Sequence, residues 1–453
     1  MSRGGRSSGR SRRHRGQAEA DKPLTTSIEG LAPTGEGVAK VDGRALFVPG
    51  TLPGEVVLVQ PVTTGRVRRA RLLSLVTRSD DRVEPPCPHV ERCGGCDWMH
   101  VEPDAQADHH RDNVVAVLAN ALGESALEGI PIAFHRPGKP LHYRQRARIS
   151  MRGSGKRVAA GYIAARSHDL VAVDSCAVLE PPLEQALRQL EPMMEGSRGR
   201  GDANLGLQRS TDGASPDRPV AEIRWQGELG ADVFGRIDRA VVTGAFAGIR
   251  LWPDGATAPS DYGDPRPCID GPDGEPMWLA PGGFGQASSA GGVALAQHVA
   301  ELVRATSEGE RVVELFAGSG TLTLALAPIA GRYEAVEHVP EAADALRKNL
   351  KARGLEAKVV AADAEARPIS PATRTVVLDP PRSGAPGACE LIRRARPRHV
   401  VYVSCNPVTL ARDLTTMASG GYALRQLDGF ELFPQTSHVE LVALLGRDHA
   451  ASR

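Results

Sequence analysis

The sequence predicts a multidomain chain: a small OB-like β-barrel, a central α+β domain organised around cysteines, and a C-terminal Rossmann-like α/β domain. Three observations predict it. Short β-like runs broken by turn residues fill residues 22–80, three cysteines crowd into residues 87–96, and from residue 291 apolar strand-like runs alternate with helical stretches. At roughly 100 to 200 residues per domain, a chain of 453 residues has room for about three such bodies, each with a core.

Residues 1–21 are low-complexity Arg, Gly and Ser without hydrophobic periodicity, so they cannot offset the entropy of ordering and are expected to form a disordered basic tail. Such a tail is either a solubilising linker or a loose RNA-binding arm. The formal net charge of +1 hides this concentration, because the tail holds six Arg against one Glu in its first 20 residues and the rest is slightly acidic. A nucleic-acid partner would therefore be held by local patches and the tail, not by overall charge. No apolar run approaches the ~18 residues of a membrane span, and no apolar segment follows the arginines. The expectation is a soluble, cytoplasmic protein with no membrane partner.

Residues 22–80 carry RALFVPG, EVVLVQPV and RARLLSLV, about five short strands, which fits a small barrel resembling the oligonucleotide-binding type and the TRAM module. Arg66, Arg68, Arg69 and Arg71 would place cations on both faces of a strand, as an exposed edge allows. In residues 81–290, AQADHHRDNVVAVLANAL reads as a helix. HYRQRARISM reads as a strand with Arg144, Arg146 and Arg148 in a row that could track phosphates. Residues 195–220, rich in Gly, Ser, Arg and Asp, read as a mobile loop, and residues 221–290 return to β-like runs.

Seven cysteines in a long chain without a secretory signal read as ligands and a nucleophile, not as a disulfide framework. Cys87, Cys93 and Cys96, at x5 and x2 spacing with Cys176 far downstream, can ligate zinc or a cubane cluster, and spacing alone does not choose. His89 is placed beside these ligands, His109 and His110 on a solvated helix face, Cys268 in a loop and Cys389 in the core.

From residue 291 to 453 the runs RVVELF, RYEAVE, AKVVA, RTVVLD, RHVVYVS and VELVALL alternate with helical segments, which predicts a doubly wound sheet with ligands beyond its strand carboxyl ends. The turn Phe316-Ala317-Gly318-Ser319-Gly320 lacks the glycine spacing of a dinucleotide fingerprint and the Lys of a phosphate loop. Glu337, ending the next strand, can take both ribose hydroxyls, and Asp363 an adenine amino group. Together these fit S-adenosylmethionine better than NAD. LDPPRSG puts Asp379 at another strand end, and VYVSCNPVTLARDL puts Cys405 at a third.

FAGSG, LDPPRSG, VYVSCNPVTLARDL and FPQTSHVE, in this order, resemble the RNA uracil-5-methyltransferase family. With Cys87, Cys93, Cys96 and Cys176 the chain resembles its iron-sulfur branch, typified by 23S rRNA enzymes. The resemblance implies a TRAM barrel, a central iron-sulfur domain and a class I methyltransferase domain. It implies Cys405 as nucleophile, Glu440 as general base and Asp379 as support for the base edge or the nucleophile. It also implies S-adenosylmethionine held by Gln286, Phe316, Gly318, Gly320, Thr321, Glu337, Asp363 and Asp379. Ser288 and Thr321 stand where many members have Asn. The four cysteines would carry a 4Fe-4S cluster, with zinc as the competing occupant, and the partner would be a single-stranded or loop uridine of RNA, rRNA favoured over tRNA, met by a monomer.

That chemistry accounts for the residue types. Carbon 5 of uracil is a poor nucleophile until a thiolate adds to carbon 6, and the adduct then carries a carbon-5 proton that a base removes. The target base must leave any helix to be reached. Two rivals remain at this stage: an amino-nitrogen methyltransferase, disfavoured because Arg382 follows Asp379-Pro380-Pro381 where a stacking aromatic is expected, and a non-catalytic iron-sulfur RNA-binding or assembly protein.

Overall fold

The computed structural model describes residues 22–62, 67–212 and 214–447; the basic tail and Arg66 lie outside them. The chain divides into two compact units, one comprising Met1–Pro86, Cys96–Asn113 and Gln435–Ser437, the other Cys87–Gly95, Val114–Pro434 and His438–Arg453.

The first unit holds a six-stranded sheet in the order Leu24–Ser27, Val56–Val62, Arg69–Thr77, Arg44–Val48, Gly37–Val41, Gly30–Leu31. Alternation in these short runs sends Ala39, Leu46, Val48, Val57 and Val59 into one core. The arginine strand is not a free edge. It pairs with Val56–Val62 along its length and meets Phe47 at Arg69, and Arg69 lies 3.0 Å from the buried Glu36. Arg68 donates to the Val41 carbonyl at 2.9 Å, so Arg71 alone of the described three stays exposed. The pair His109 and His110 is not a solvated face either. His110 is buried with its ring 4.4 Å from that of Trp98, and His109 Nε2 lies 3.0 Å from Asp81.

In the second unit a nine-stranded sheet is built on Arg146–Ser154, Val158–Ile163, Leu170–Ala172, Arg198–Gln208, Arg218–Glu228, Gly248–Trp252 and Ser260–Gly263, with two short strands alongside. The expected mobile loop is its centre. Arg198–Gln208 pairs antiparallel with Arg218–Glu228 through eleven positions. Glycine content suggested a loop, but these glycines make room for the fully buried Trp225: a Cβ on Gly201 would stand 2.7 Å from its ring, and one on Gly153 3.1 Å. Ala203, Leu205 and Leu207 alternate inward beneath it. Cys268 likewise lies in a short buried strand, Cys268–Asp270, not in a loop. The arginine row is not a uniformly exposed face: Arg146 is half-buried with its Nη1 out of solvent, Arg144 Nε donates to the Arg146 carbonyl at 2.9 Å, and of the three only Arg148 is exposed, 2.8 Å from Asp202.

The C-terminal part of this unit forms the eight-stranded sheet that positions the site. Its elements are β1 (Ile132–His135), α1 (Ser289–Ser307), β2 (Arg311–Leu315), α2 (Thr321–Leu326), β3 (Arg332–Glu337), α3 (Pro340–Ala352), β4 (Lys358–Ala361), β5 (Thr375–Leu378), α4 (Pro386–Ala395), β6 (His399–Ser404), α5 (Pro407–Ala418), β7 (Tyr422–Phe430) and β8 (Glu440–Arg447). The strand order is β4-β3-β2-β5-β6-β8-β7-β1. The first five run parallel, β8 is antiparallel to β6 and β7, and β1 adds at the far edge parallel to β7. Val and Leu dominate β2, β5 and β6 without alternation because helices cover both faces. The order reverses between β2 and β5, so a crevice opens at their carboxyl ends. Cys389 sits in the core on one face, as expected.

Candidate active site

At the carboxyl end of β2 the backbone turns through Phe316 (φ 64°), Gly318 (φ 56°) and Gly320 (φ 107°) before α2 starts at Thr321. A positive φ costs a non-glycine residue energy, and at Phe316 that strain is held by the turn. Gly320 is required for space as well, since a Cβ there would lie 2.5 Å from Leu346 Cδ1, whereas one on Gly318 would meet nothing within 4 Å. The open face at Gly318 leaves the backbone free to approach a ligand. Glu337, at the end of β3, pins this turn: Oε2 accepts from the Gly318 amide and Oε1 from that of Val339, both at 2.7 Å. Asp363 lies two residues past β4, exposed, its Oδ1 accepting from the Glu365 amide at 2.9 Å.

Gln286 is buried, and its Oε1 has no hydrogen-bond partner among the described residues. A buried acceptor left so calls for a donor from a ligand. Its own carbonyl is held by Gln145 Nε2 at 3.1 Å. Ser288, at a position where Asn is frequent, caps α1: Oγ accepts from the Gly291 amide at 3.1 Å.

The candidate catalytic end is assembled by β5, β6 and β8. Asp379 follows β5 and Cys405 follows β6, while Glu440 opens β8. The antiparallel register pairs Ser404 with Leu441, which sets Cys405 opposite Glu440. Burial raises the Cys405 thiol to about 11, with the Glu440 and Asp379 carboxyls adding to the shift and the Arg382 guanidinium opposing it. Burial also raises Glu440 well above the carboxylate range; Asp379 reinforces this and Arg382 opposes it. Asp379 is raised by burial. A half-buried thiol, two carboxyls that resist ionising together and one cation therefore share a single pocket end.

Sequence reasoning placed Cys405, Glu440 and Asp379, and the fold brings them together. It missed the two residues that complete the arrangement. Arg382 was noted only for the aromatic it replaces. Its carbonyl accepts from Asn406 Nδ2 and Thr409 Oγ1, both at 3.2 Å, tying the Asp379 loop to the start of α5. Asn406 in turn caps α5 through Oδ1, 3.0 Å from the Val408 amide, so Cys405 stands just before a helix N-terminus. Asp413 holds the same loop from below, accepting from the Ala385 amide at 2.8 Å and the Tyr402 hydroxyl at 2.7 Å. Gly384 (φ 74°) is needed there because a Cβ would lie 2.5 Å from Asp413 Oδ2. A third missed group, Glu314 on β2, is buried with the Thr323 and Tyr333 hydroxyls donating to its Oε2, and burial raises it to about 7. In VVELF it is one acidic letter in an apolar run, and nothing marks its partners.

In the second unit Cys87 and Cys176 act electrostatically on Cys93. Burial raises the Cys93 thiol first, Cys176 and Cys87 raise it further, and Arg144 opposes. The Gly94 amide donates to Ile163 at 3.2 Å, which fixes the Cys93 loop, and the Tyr162 hydroxyl lies 3.7 Å from Cys176 Sγ. Cys96 begins the next segment of the first unit. All seven cysteines are free thiols. His89 lies 3.2 Å from Asp174, beside this set.

Comparison with known proteins adds three family matches: "TRAM domain" over residues 24–60, "TRM5/TYW2 methyltransferase domain" over 292–403 and "tRNA (Uracil-5-)-methyltransferase" over 369–448. The chain is 31% identical to the 23S rRNA (uracil(1939)-C(5))-methyltransferase RlmD of Shewanella sp. strain MR-7, over 92% of this chain and 94% of that one. It is 33% identical to the protein of that name from Pectobacterium carotovorum strain PC1, over 94% of each. Its fold is similar to that of the Pyrococcus abyssi tRNA (uracil-54, C5)-methyltransferase solved with S-adenosyl-L-homocysteine, at a TM-score of 0.69 and 23% identity, covering 93% of this chain and 100% of that one.

Proposed function

This chain belongs to the RNA uracil-C5-methyltransferase family, and from that premise we propose that it methylates carbon 5 of a uridine in 23S rRNA through a covalent Cys405 adduct. The observation that carries the reading is the placement of Cys405 opposite Glu440, with Asp379 and Arg382 at the same strand ends. The relatives that span nearly the whole chain are named for uracil 1939 of 23S rRNA, which favours that RNA over tRNA.

S-adenosylmethionine supplies the methyl group as an electrophile on its sulfonium. Gln286, Phe316, Gly318, Gly320, Thr321, Glu337, Asp363 and Asp379 would hold it; the orphaned Gln286 Oε1 and the open face at Gly318 support the fit. The Cys405 thiolate, eased by Arg382 and by the first turn of α5, forms a bond to carbon 6 of uracil. Electron density moves to carbon 5, which takes the methyl group. Glu440 then accepts the carbon-5 proton and the sulfur leaves carbon 6, restoring the double bond and the free thiolate. A carboxyl with a raised pKa is, once ionised, a stronger base for this carbon acid. Asp379, against the same pair, holds the base edge, and its charge opposes ionisation of Glu440 so that the two carboxyls retain a proton between them.

The domain reading stands alongside: residues 22–80 as the RNA-binding TRAM barrel, 81–290 as a central domain with the cluster, and 291–453 as the methyltransferase domain. Cys87, Cys93, Cys96 and Cys176 would hold a 4Fe-4S cluster. Free thiols, with Cys87 and Cys176 within electrostatic reach of Cys93 and Arg144 as counter-charge, support the donor set. The methyl transfer requires no electrons, so the cluster serves structure or RNA placement. The decisive experiment incubates anaerobically purified protein with S-adenosylmethionine and separate unmodified 23S rRNA and tRNA, then counts 5-methyluridine by nucleoside mass spectrometry. The expected result is 5-methyluridine in 23S rRNA alone, abolished by Cys405→Ala; product in tRNA alone would reverse the substrate assignment.

A further inference from the structure

A second constellation lies at the far edge of the eight-stranded sheet, at the same strand ends as Glu440, since Phe430 on β7 pairs with Glu440 on one side and with His135 on the other. His135 closes the edge strand β1, Asp428 lies on β7, and His298 projects from α1. The parallel register pairs Phe430 with His135 and Asp428 with Ala133, so His135 and Asp428 point to one face of the sheet. Asp428 is buried; His298 and His135 have side-chain exposures of 16% and 40%. One ligand atom from each residue falls within 4.8 Å of the others.

Each imidazole faces its own oxygen of the Asp428 carboxylate. His135 Nε2 lies 3.0 Å from Asp428 Oδ1, and His298 Nε2 lies 2.9 Å from Oδ2. Donors bonded at ~2.0 Å to a tetrahedral cation stand about 3.3 Å apart, close to both values. Each would also suit a plain ion pair, but the alignment at His298 does not: its Nε2 is buried and makes no hydrogen bond that meets the angular requirement, despite its short distance to the carboxylate. Nitrogen and oxygen that aim at a common third point, and not at each other, produce that geometry.

The surroundings are those of an oriented ligand set. His298 Nδ1 lies 3.9 Å from the exposed Glu301 on the next turn of α1, too far for a hydrogen bond. Gln426 Nε2 donates to Asp428 Oδ2 at 2.8 Å and orients the carboxylate. The His135 ring stacks on the buried Phe430 at 4.6 Å and 25°, and the neighbouring cation, Arg136, is engaged 3.1 Å from Glu431. Two imidazoles and a carboxylate form a borderline donor set, and the half-exposed His135 leaves a position open to water.

We propose that His135, His298 and Asp428 bind one zinc-class divalent cation with a water in its fourth position, stapling the edge strand β1 to β7 and α1. The site is separate from the four-cysteine set and shares no residue with the proposed methyl transfer.

The test is a Co²⁺ titration of full-length protein with its cysteine cluster reconstituted, read by absorption, followed by Zn²⁺ displacement and thermal unfolding. The expected result is one equivalent of Co²⁺ without the intense sulfur-to-cobalt band of thiolate ligation, displaced by Zn²⁺, with a metal-dependent rise in the unfolding midpoint. His298→Ala and Asp428→Asn lose at least tenfold in affinity and the midpoint rise. His135→Ala, at the half-exposed rim, keeps the fold if the buried variants do not, and shows the same loss. Equal binding by wild type and His135→Ala, no binding by wild type, or binding only with the thiolate band overturns the proposal.

Discussion

Consider the Cys405 thiol as the pH is raised. An ordinary thiol with a pKa of 9.0 is about one-tenth ionised at pH 8; Cys405, held at about 11 by burial and by Glu440 and Asp379, is ionised there to about one part in a thousand. The hundredfold deficit in thiolate is partly offset, because a more basic thiolate is intrinsically more nucleophilic, with a Brønsted slope of about 0.4–0.5 that returns roughly tenfold over two units. In the free protein Cys405 should therefore react with iodoacetamide roughly tenfold more slowly at pH 8 than a model thiol. Its rate should climb about tenfold per pH unit until near 11. Arg382→Gln, which removes the guanidinium that favours the thiolate, should slow it further. Quantifying the alkylated Cys405 peptide by mass spectrometry across pH separates it from the other six cysteines. A rate that levels off at or below pH 9, or a faster Arg382→Gln protein, would refute the electrostatic reading of the pocket.

Two further outcomes follow from groups that hold the site. Asp413→Ala strips acceptors from the Ala385 amide and the Tyr402 hydroxyl. It should lower stability by about 2–4 kcal/mol in urea unfolding, with Tyr402→Phe costing about 1 kcal/mol. Glu314 has its folded pKa raised from 4.5 to about 7 by burial, so its contribution to stability is present below 4.5 and lost as the pH rises through 7. Complete burial makes that loss about 3 kcal/mol. Stability of wild type measured against Glu314→Gln should fall by this amount between pH 4.5 and 7 and be flat on either side; a flat difference throughout would contradict it.

The parts legible in the sequence are those where short-range pattern and chemistry coincide. Strand–turn–helix alternation after residue 291 gave the doubly wound sheet, and strand ends gave Cys405, Asp379 and Glu337 their places. What the sequence concealed depends on partners far along the chain. Arg198–Gln208 resembles a loop because its glycines admit close neighbours far along the chain, Trp225 at Gly201 and the Gln226 backbone at Gly199. Arg146 resembles a fully exposed phosphate contact until its half-buried place in the sheet is known. Asp413 and Arg382 lie inside a recognised segment, yet their roles arise from closure of the Asp379 loop onto α5. His135, His298 and Asp428 are separated by more than a hundred residues at each step, and β1 reaches the sheet only after the chain has passed through it.

The central claim is the transient bond between Cys405 and carbon 6 of uracil, released only when Glu440 takes the carbon-5 proton. Glu440→Gln incubated with S-adenosylmethionine and unmodified 23S rRNA tests it most directly, read on a denaturing gel and by mass spectrometry of the digested complex. The expected result is a methylated RNA–protein adduct that survives denaturation, maps to Cys405 and fails to release product. Full-rate formation of free 5-methyluridine without any adduct, or an adduct on another residue, would contradict it.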